Sequence, residues 1–214
     1  TPRGAMATYP VAQTLREGTT PVAHVLPAAV HPSVARKAQR TAEFYAGKLA
    51  VEGLLAVELF VLADGRMVVN ELVPCPHPAL DAADVACETG QHEQLVRAVC
   101  DLPLGPTDLV APAASVPLAG VRRPDVLAAD LANGCGVHWL DASAEAAGTD
   151  GEPGVAGQLI ATAPTAEGAL ARARREALRV ARLARLTRDA GAPGAGAEHG
   201  YLPGTPWRLR FTCG

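Results

Sequence analysis

The chain reads as an α+β protein, with an antiparallel sheet and flanking helices followed by a small β-rich C-terminal domain that carries a long helix. Three observations predict it. Residues 8–27 and 56–71 each alternate apolar and polar positions about a short polar turn, Arg16-Glu17-Gly18-Thr19-Thr20 in the first and Asp64-Gly65 in the second. Between them Val34, Ala38, Thr41, Tyr45 and Leu49 recur at three- and four-residue steps, the period of a helix resting one face on a core. Near the C-terminus, Leu170, Ala173, Ala177, Val180, Ala181 and Ala184 form an apolar stripe along a helix spanning 165–188, which suits it to cover a sheet.

The remaining elements follow from local chemistry. Ser33 is expected to cap the first helix, because its hydroxyl can accept an orphan N–H of the first turn. That helix ends between Gly47 and Gly53. The run Val73-Pro-Cys-Pro-His-Pro78 lacks the N–H donors to continue a sheet, so it forms a loop at the end of the second hairpin. A helix is expected over 89–100, with Leu95, Val96 and Val99 inward and Leu102-Pro-Leu-Gly105 stopping it. Strands follow at 114–118, 136–140 and 157–162. The small and acidic residues of 142–157 form a surface loop, 189–197 reads as a linker, and Trp207 and Phe211 lie in a tail that can dock back.

Composition excludes several classes of function. With 49% hydrophobic and 19% charged residues the chain is an ordinary globular one. A net charge of −3 and 4% aromatic residues give neither the charge nor the stacking surface for nucleic acid. No apolar run approaches the length of about 18 residues that a membrane span needs, and the N-terminus has no signal pattern, so a cytoplasmic location is expected. Position 1 is Thr rather than Met, which allows for processing or a cut fragment. Cys75, Cys87, Cys100, Cys135 and Cys213 are odd in number, without a Cys-x-x-Cys, and are expected to be free thiols.

The second hairpin carries the strongest chemical signal. If Asp64-Gly65 is a two-residue turn, 63 pairs with 66, 61 with 68, and Glu58 with Glu71. Two opposed carboxylates repel, so the pair calls for a proton, an Arg or a divalent cation. Asn70 adds an amide oxygen, and Glu58, Glu71 and Asn70 together make a hard oxygen set suited to Mg²⁺. Without a metal, Glu58, Glu71 and His77 can do acid/base work, the glutamates with pKa values raised by mutual repulsion. Asn70 and Cys75, with Asp81 at the end of the Pro loop and His138 on the strand of 136–140, are the expected substrate-binding residues. The arginines of 172–188 read as a solvated helix face. No Gly-rich phosphate loop and no local Ser/His/Asp or Cys/His signature is present.

Tyr9-Pro-Val11, Gly53-Leu-Leu-Ala-Val-Glu-Leu-Phe60, Asp64-Gly65, Val69-Asn-Glu71, Pro74-x-Pro-His77, Gln91-x-Glu-Gln94, Arg97-Ala-Val99 and Leu102-Pro-Leu-Gly105 occur in series. That series resembles the N5-carboxyaminoimidazole ribonucleotide synthetase family of ATP-grasp enzymes over roughly residues 8–120, and more weakly beyond. The resemblance implies the C-terminal half of an ATP-grasp domain over 1–110, a family-type C-terminal domain over 111–190, and a linker and tail over 191–214. In that family the acids matching Glu58 and Glu71, with the Asn matching Asn70, hold the Mg²⁺ that bridges ATP phosphates.

The departures are specific. Where the family has Pro-Arg-Pro-His-Asn-Ser-Gly-His, this chain has Pro74-Cys-Pro-His-Pro-Ala-Leu-Asp81, and the family's Tyr-Gly-Lys and Arg-Lys-Met-Gly-His appear as Leu140-Asp-Ala142 and Gly154-Val-Ala-Gly-Gln158. The cations that hold a ribotide phosphate are thereby lost. Lys37 and Lys48 match none of the nucleotide-contacting lysines of the family's lid. The expected function is a repurposed remnant of an ATP-grasp carboxylating ligase, acting on a small molecule other than aminoimidazole ribotide in specialised metabolism, with Mg²⁺ as the candidate cofactor and ATP doubtful. The alternative is one half of a split Mg²⁺- and ATP-dependent ligase. Either is expected to act as a homodimer or with a partner subunit, with no nucleic acid and no membrane, and in the split ligase the apolar surface from Tyr9 to Val22 is expected to be the interface.

Overall fold

The computed structural model describes residues 1–140, other than 63 and 128, and residues 154–189. Seven strands and five α-helices are found there: β1 (Gln13–Glu17), β2 (Thr20–Leu26), α1 (Pro32–Lys48), β3 (Ala56–Val61), β4 (Met67–Val73), α2 (Ala83–Ala86), α3 (Gln91–Val99), β5 (Ala113–Ala119), α4 (Arg123–Leu127), β6 (Cys135–Trp139), β7 (Val155–Thr162) and α5 (Ala166–Asp189). A 3₁₀ turn over Pro78–Leu80 precedes α2. All pairings among the strands are antiparallel, in a five-stranded sheet of order β1-β2-β5-β7-β6 and a separate β3-β4 hairpin.

Alternation along the strands gives the large sheet two buried faces. Val25, Ala114, Leu159 and Ala161 pack on one side with Ala169, Ala173, Ala177, Val180 and Ala184 of α5. Leu26, Ala113 and Ile160 point the other way, against Ala82, Ala83 and Ala86. Mostly alanines line the helix face, so α5 lies close on the sheet, as the apolar stripe predicts. One sheet therefore runs through both expected domains, because β2 pairs with β5 at His24↔Ser115, Val25↔Ala114 and Leu26↔Ala113. The tail from 190 onward, with Trp207, Phe211 and Cys213, and most of the expected surface loop lie outside the described residues.

Two local expectations are corrected. α1 starts at Pro32 and is capped by His31, whose Nδ1 accepts the Ser33 N–H at 3.3 Å; Ser33 itself sits inside the helix. Proline suits the first helical position, since its φ is already set and its missing N–H is one the first turn cannot use. The arginines of α5 are also not simply a solvated face. Arg179 Nη2 donates to the carbonyls of Ala129 (2.7 Å) and Asp130 (2.9 Å) and to Glu176 Oε1 (2.6 Å). Glu176, 5% exposed, also accepts the Ala132 N–H. Replacing Arg179 with leucine strands two carbonyls and a buried carboxylate, and is expected to cost about 2 kcal/mol in urea unfolding. The same loss in an Arg179→Leu/Glu176→Gln double variant would show that the pair is not what Arg179 contributes.

Candidate functional site

The hairpin brings Glu58 opposite Glu71 by a route the turn arithmetic does not contain. From the tip the pairs are Val61↔Met67, Phe60↔Val68 and Leu59↔Val69, one residue off the expected 61↔68 register, and a bulge between Glu58 and Leu59 restores Glu58↔Glu71. The tip is wider than a two-residue turn: the Leu62 N–H bonds Arg66 O at 2.8 Å, and Ala63 lies outside the described residues. The extra residue of the bulge is Asn70. In a regular strand Asn70 and Glu71 would face opposite ways; a bulge breaks that alternation, and Asn70 Nδ2 donates to Glu58 Oε2 at 3.2 Å.

Glu58 also has a cation that the local sequence does not supply. Arg16 Nη2, from β1 and 42 residues away, donates to Glu58 Oε1 at 2.7 Å, while its Nη1 is tied to the Thr19 carbonyl. Burial works to raise the Glu58 pKa, but hydrogen bonds from Arg16 and Asn70, the Arg16 charge and the nearby His77 outweigh it and hold the carboxyl below its usual range. The expectation of a raised Glu58 pKa is therefore corrected. An acid so held is an anchor for a cation and a poor proton carrier at neutral pH.

Glu58, Cys75 and His77 line a cavity of about 620 Å³, together with Tyr9, Arg16 and Ala38, between β1, α1, β3 and the Pro loop. Glu71 and Asn70 are exposed beside it. Asp81 and His138 are not part of that wall. They meet each other and His92 instead, with ligand atoms within 4.8 Å of one another. The expected site residues thus divide into two groups. Cys75, Cys87, Cys100 and Cys135 are free thiols, as expected. Apolar exposure falls not on Tyr9 to Val22 but elsewhere: Phe60, Val61, Leu62 and Val68 of the hairpin are 38–46% exposed, and Val96 and Val99 of α3, expected inward, are 55% and 53% exposed.

Comparison with known proteins supplies the context for this arrangement. An ATP-grasp domain profile matches residues 1–92. N5-carboxyaminoimidazole ribonucleotide synthase of Bacillus subtilis is 41% identical over 117 residues, 55% of this chain and 31% of that protein. The chain is a relative of the N5-carboxyaminoimidazole ribonucleotide synthases. The Mycobacterium tuberculosis synthase is 40% identical over 131 residues, 60% of this chain and 30% of its own. Among solved structures, an ADP complex of an N5-carboxyaminoimidazole ribonucleotide synthetase has a TM-score of 0.69 and 30% identity, covering 83% of this chain and 45% of that one. The Thermotoga maritima synthetase follows at 0.65 and 27%, covering 81% and 47%. The chain spans about 30% of the length of these curated synthases and less than half of the solved ones.

The segments that carry the synthase likeness hold one another in place. Gln94 Nε2 donates to Gly105 O (2.8 Å) and its Oε1 accepts the Gly105 N–H (2.9 Å), joining α3 to Leu102-Pro-Leu-Gly105. A Cβ at Gly105 would collide with the Thr89 side chain, which explains a glycine there. Gln91, 1% exposed, accepts the His77 N–H (3.0 Å) and donates to His77 O (3.3 Å) and to Asp81 Oδ1 (2.9 Å). Tyr9 donates its hydroxyl hydrogen to Thr89 O at 3.0 Å. Sequence reasoning missed Arg16, Asp84, Gln91 and His92, whose partners are remote in the chain or lie across a loop. The Gln91-x-Glu-Gln94 segment was the one signal that could have found Gln91.

Proposed function

We propose that the chain carries the Mg²⁺- and phosphate-holding part of an ATP-grasp-derived ligase, with Glu58, Glu71 and Asn70 as its metal-facing residues. The observation that carries this reading is the bulged register, which sets two carboxylates opposite each other with an amide on the same carboxylate. The donor set fits a hard cation, since carboxylate and amide oxygens are what Mg²⁺ takes, and the remaining positions go to water and phosphate. When bound, the ion would neutralise phosphate charge. Arg16 keeps Glu58 ionised and aimed, and turning the Asn70 amide end for end would offer its oxygen instead of its nitrogen.

The lowered pKa of Glu58 supports this metal-anchoring role over an acid/base role for the glutamate pair. His77 is then the remaining proton carrier on the cavity wall. We read the acceptor as a small molecule other than aminoimidazole ribotide, because Cys75, Pro78 and Ala79 stand where the family carries Arg, Asn and Ser. Residues 1–110 and 111–190 would work as one unit through their shared sheet, and the exposed Phe60 and Val68 would be covered by a further segment or subunit. A cytoplasmic location belongs to the same reading, and no described helix is long and apolar enough to cross a membrane.

Calorimetric titration with ATP in the presence and absence of Mg²⁺ tests the proposal. Mg²⁺-dependent binding is expected, and Glu58→Gln should weaken it at least about tenfold, or about 1.4 kcal/mol. Binding that is unchanged in Glu58→Gln, or no binding at all, would overturn the reading.

A further inference from the structure

We propose that Asp81, His92 and His138 form a second metal site, for a first-row transition ion of the Zn²⁺ class, separate from the glutamate pair. The three side chains come from three different places: the end of the 3₁₀ turn, the first turn of α3, and β6. Their ligand atoms already lie within 4.8 Å of one another. A tetrahedral metal with bonds of about 2.0–2.2 Å holds its ligand atoms about 3.3–3.6 Å apart, so a pair at that limit closes by somewhat over about 1 Å when the ion binds. The His92 and His138 rings stack at 5.1 Å between centroids and 18° between planes, which makes them neighbours; one ring turns about its side-chain torsions to aim its nitrogen at a shared ion.

The orphaned oxygen points to a missing ligand. Asp81 is 4% exposed, and Gln91 satisfies its Oδ1, but Oδ2 has no hydrogen-bond partner. A buried carboxylate oxygen without a partner costs free energy that a cation would recover. Gln158, opposite His138 on β7 and 5% exposed, likewise has an Oε1 without a partner, so a second oxygen lies on the same face of the sheet.

Outer contacts also match what a metal needs. His92 Nδ1 lies 2.8 Å from Asp84 Oδ2, and since a carboxylate only accepts, the ring proton sits on Nδ1 and the lone pair on Nε2. A carboxylate behind a histidine in this way orients the ring and makes it a better ligand. Gly90 makes room for that carboxylate: a Cβ there would lie 2.8 Å from Asp84 Cα and collide with its side chain. Two imidazoles and one carboxylate favour Zn²⁺, Fe²⁺, Co²⁺ or Ni²⁺ over Mg²⁺, which takes oxygen. The glutamate pair has the opposite preference, so the two sites divide metals by donor type. A bound ion would tie β6 to α3 and the Pro loop, bracing the wall on which His77 sits.

Titration of the chelator-treated full chain with Co²⁺, followed by visible absorption, and competition with Zn²⁺ test the site. One Co²⁺ per chain is expected, displaced by Zn²⁺ and not by Mg²⁺, with no thiolate charge-transfer band. His138→Asn should weaken it at least a hundredfold and Asp84→Asn roughly tenfold, whereas Glu58→Gln and Cys75→Ser should leave it unchanged. Zn²⁺ should also raise the Tm of the parent chain and not that of His138→Asn. Failure of the parent to bind Co²⁺, retention of binding in His138→Asn, or loss in Glu58→Gln or Cys75→Ser would overturn the proposal. Should His138→Asn not fold, Asp81→Asn is read in its place, with the same outcomes. Because ATP is absent throughout, these results are independent of the nucleotide reading.

Discussion

Gln91→Leu is expected to destabilise the protein by about 4 kcal/mol. Leucine matches glutamine in size, so the loss is not a cavity effect. Three hydrogen bonds vanish together, and they leave the His77 N–H, the His77 carbonyl and Asp81 Oδ1 without partners. Each stranded buried group costs about 1–3 kcal/mol, more than the net value of an ordinary hydrogen bond. Asp81 suffers most, because its other oxygen already lacks a partner. In urea unfolding the midpoint should fall while the slope m stays constant. Gln91→Glu sharpens the test: it keeps an acceptor for the His77 N–H, removes both donated bonds, and adds a carboxylate beside Asp81. It should be about as damaging as leucine. A loss below about 1 kcal/mol for both would show that the Pro loop is held by other contacts.

What the sequence makes legible is the local period. Alternation gives the strands at 13–26, 56–73 and 155–162 to within a few residues, and the three- and four-residue steps give α1 and α5. The opposition of Glu58 and Glu71 is legible too, although through two errors that cancel: the turn is wider than two residues, and the bulge at Asn70 takes up the difference. No glycine marks that bulge, so nothing in the local sequence announces it. Long-range approach is not legible. Arg16 reaches Glu58 only because β1 packs beside the hairpin, and that contact reverses the sense of the Glu58 pKa. The same limit applies to Asp81 and His138. Both stand out as polar residues near expected loops, but their meeting with His92 depends on β6 pairing with β7, and β7 with β5. The short α2 and α4 carry too few residues to show a period at all.

Acid should weaken the fold through His24, which lies 5% exposed on β2 with Nδ1 3.1 Å from Thr14 Oγ1. Burial, with His77 and Arg16 nearby and only Glu58 opposing, pushes its pKa from the usual 6.5 down to about 4. Between those values the unfolded chain holds a proton on this ring and the folded chain does not. Stability contributed by neutral His24 is therefore complete above about pH 6.5 and is lost progressively as pH falls toward 4, on the order of 3 kcal/mol in all. Burial also pushes the Asp81 carboxyl up to about 7, and a raised acid acts with the opposite sign, losing stability as pH rises across the same window. The total pH profile consequently mixes two opposed slopes. The difference between parent and His24→Gln isolates one of them, provided a chelator keeps metal away from Asp81. That difference should shrink by on the order of 3 kcal/mol between pH 6.5 and 4 in urea unfolding, since glutamine has no proton to gain. A difference that stays constant across the window would mean that His24 titrates alike in both states, and that water reaches it where the packing of β1 on β2 excludes it.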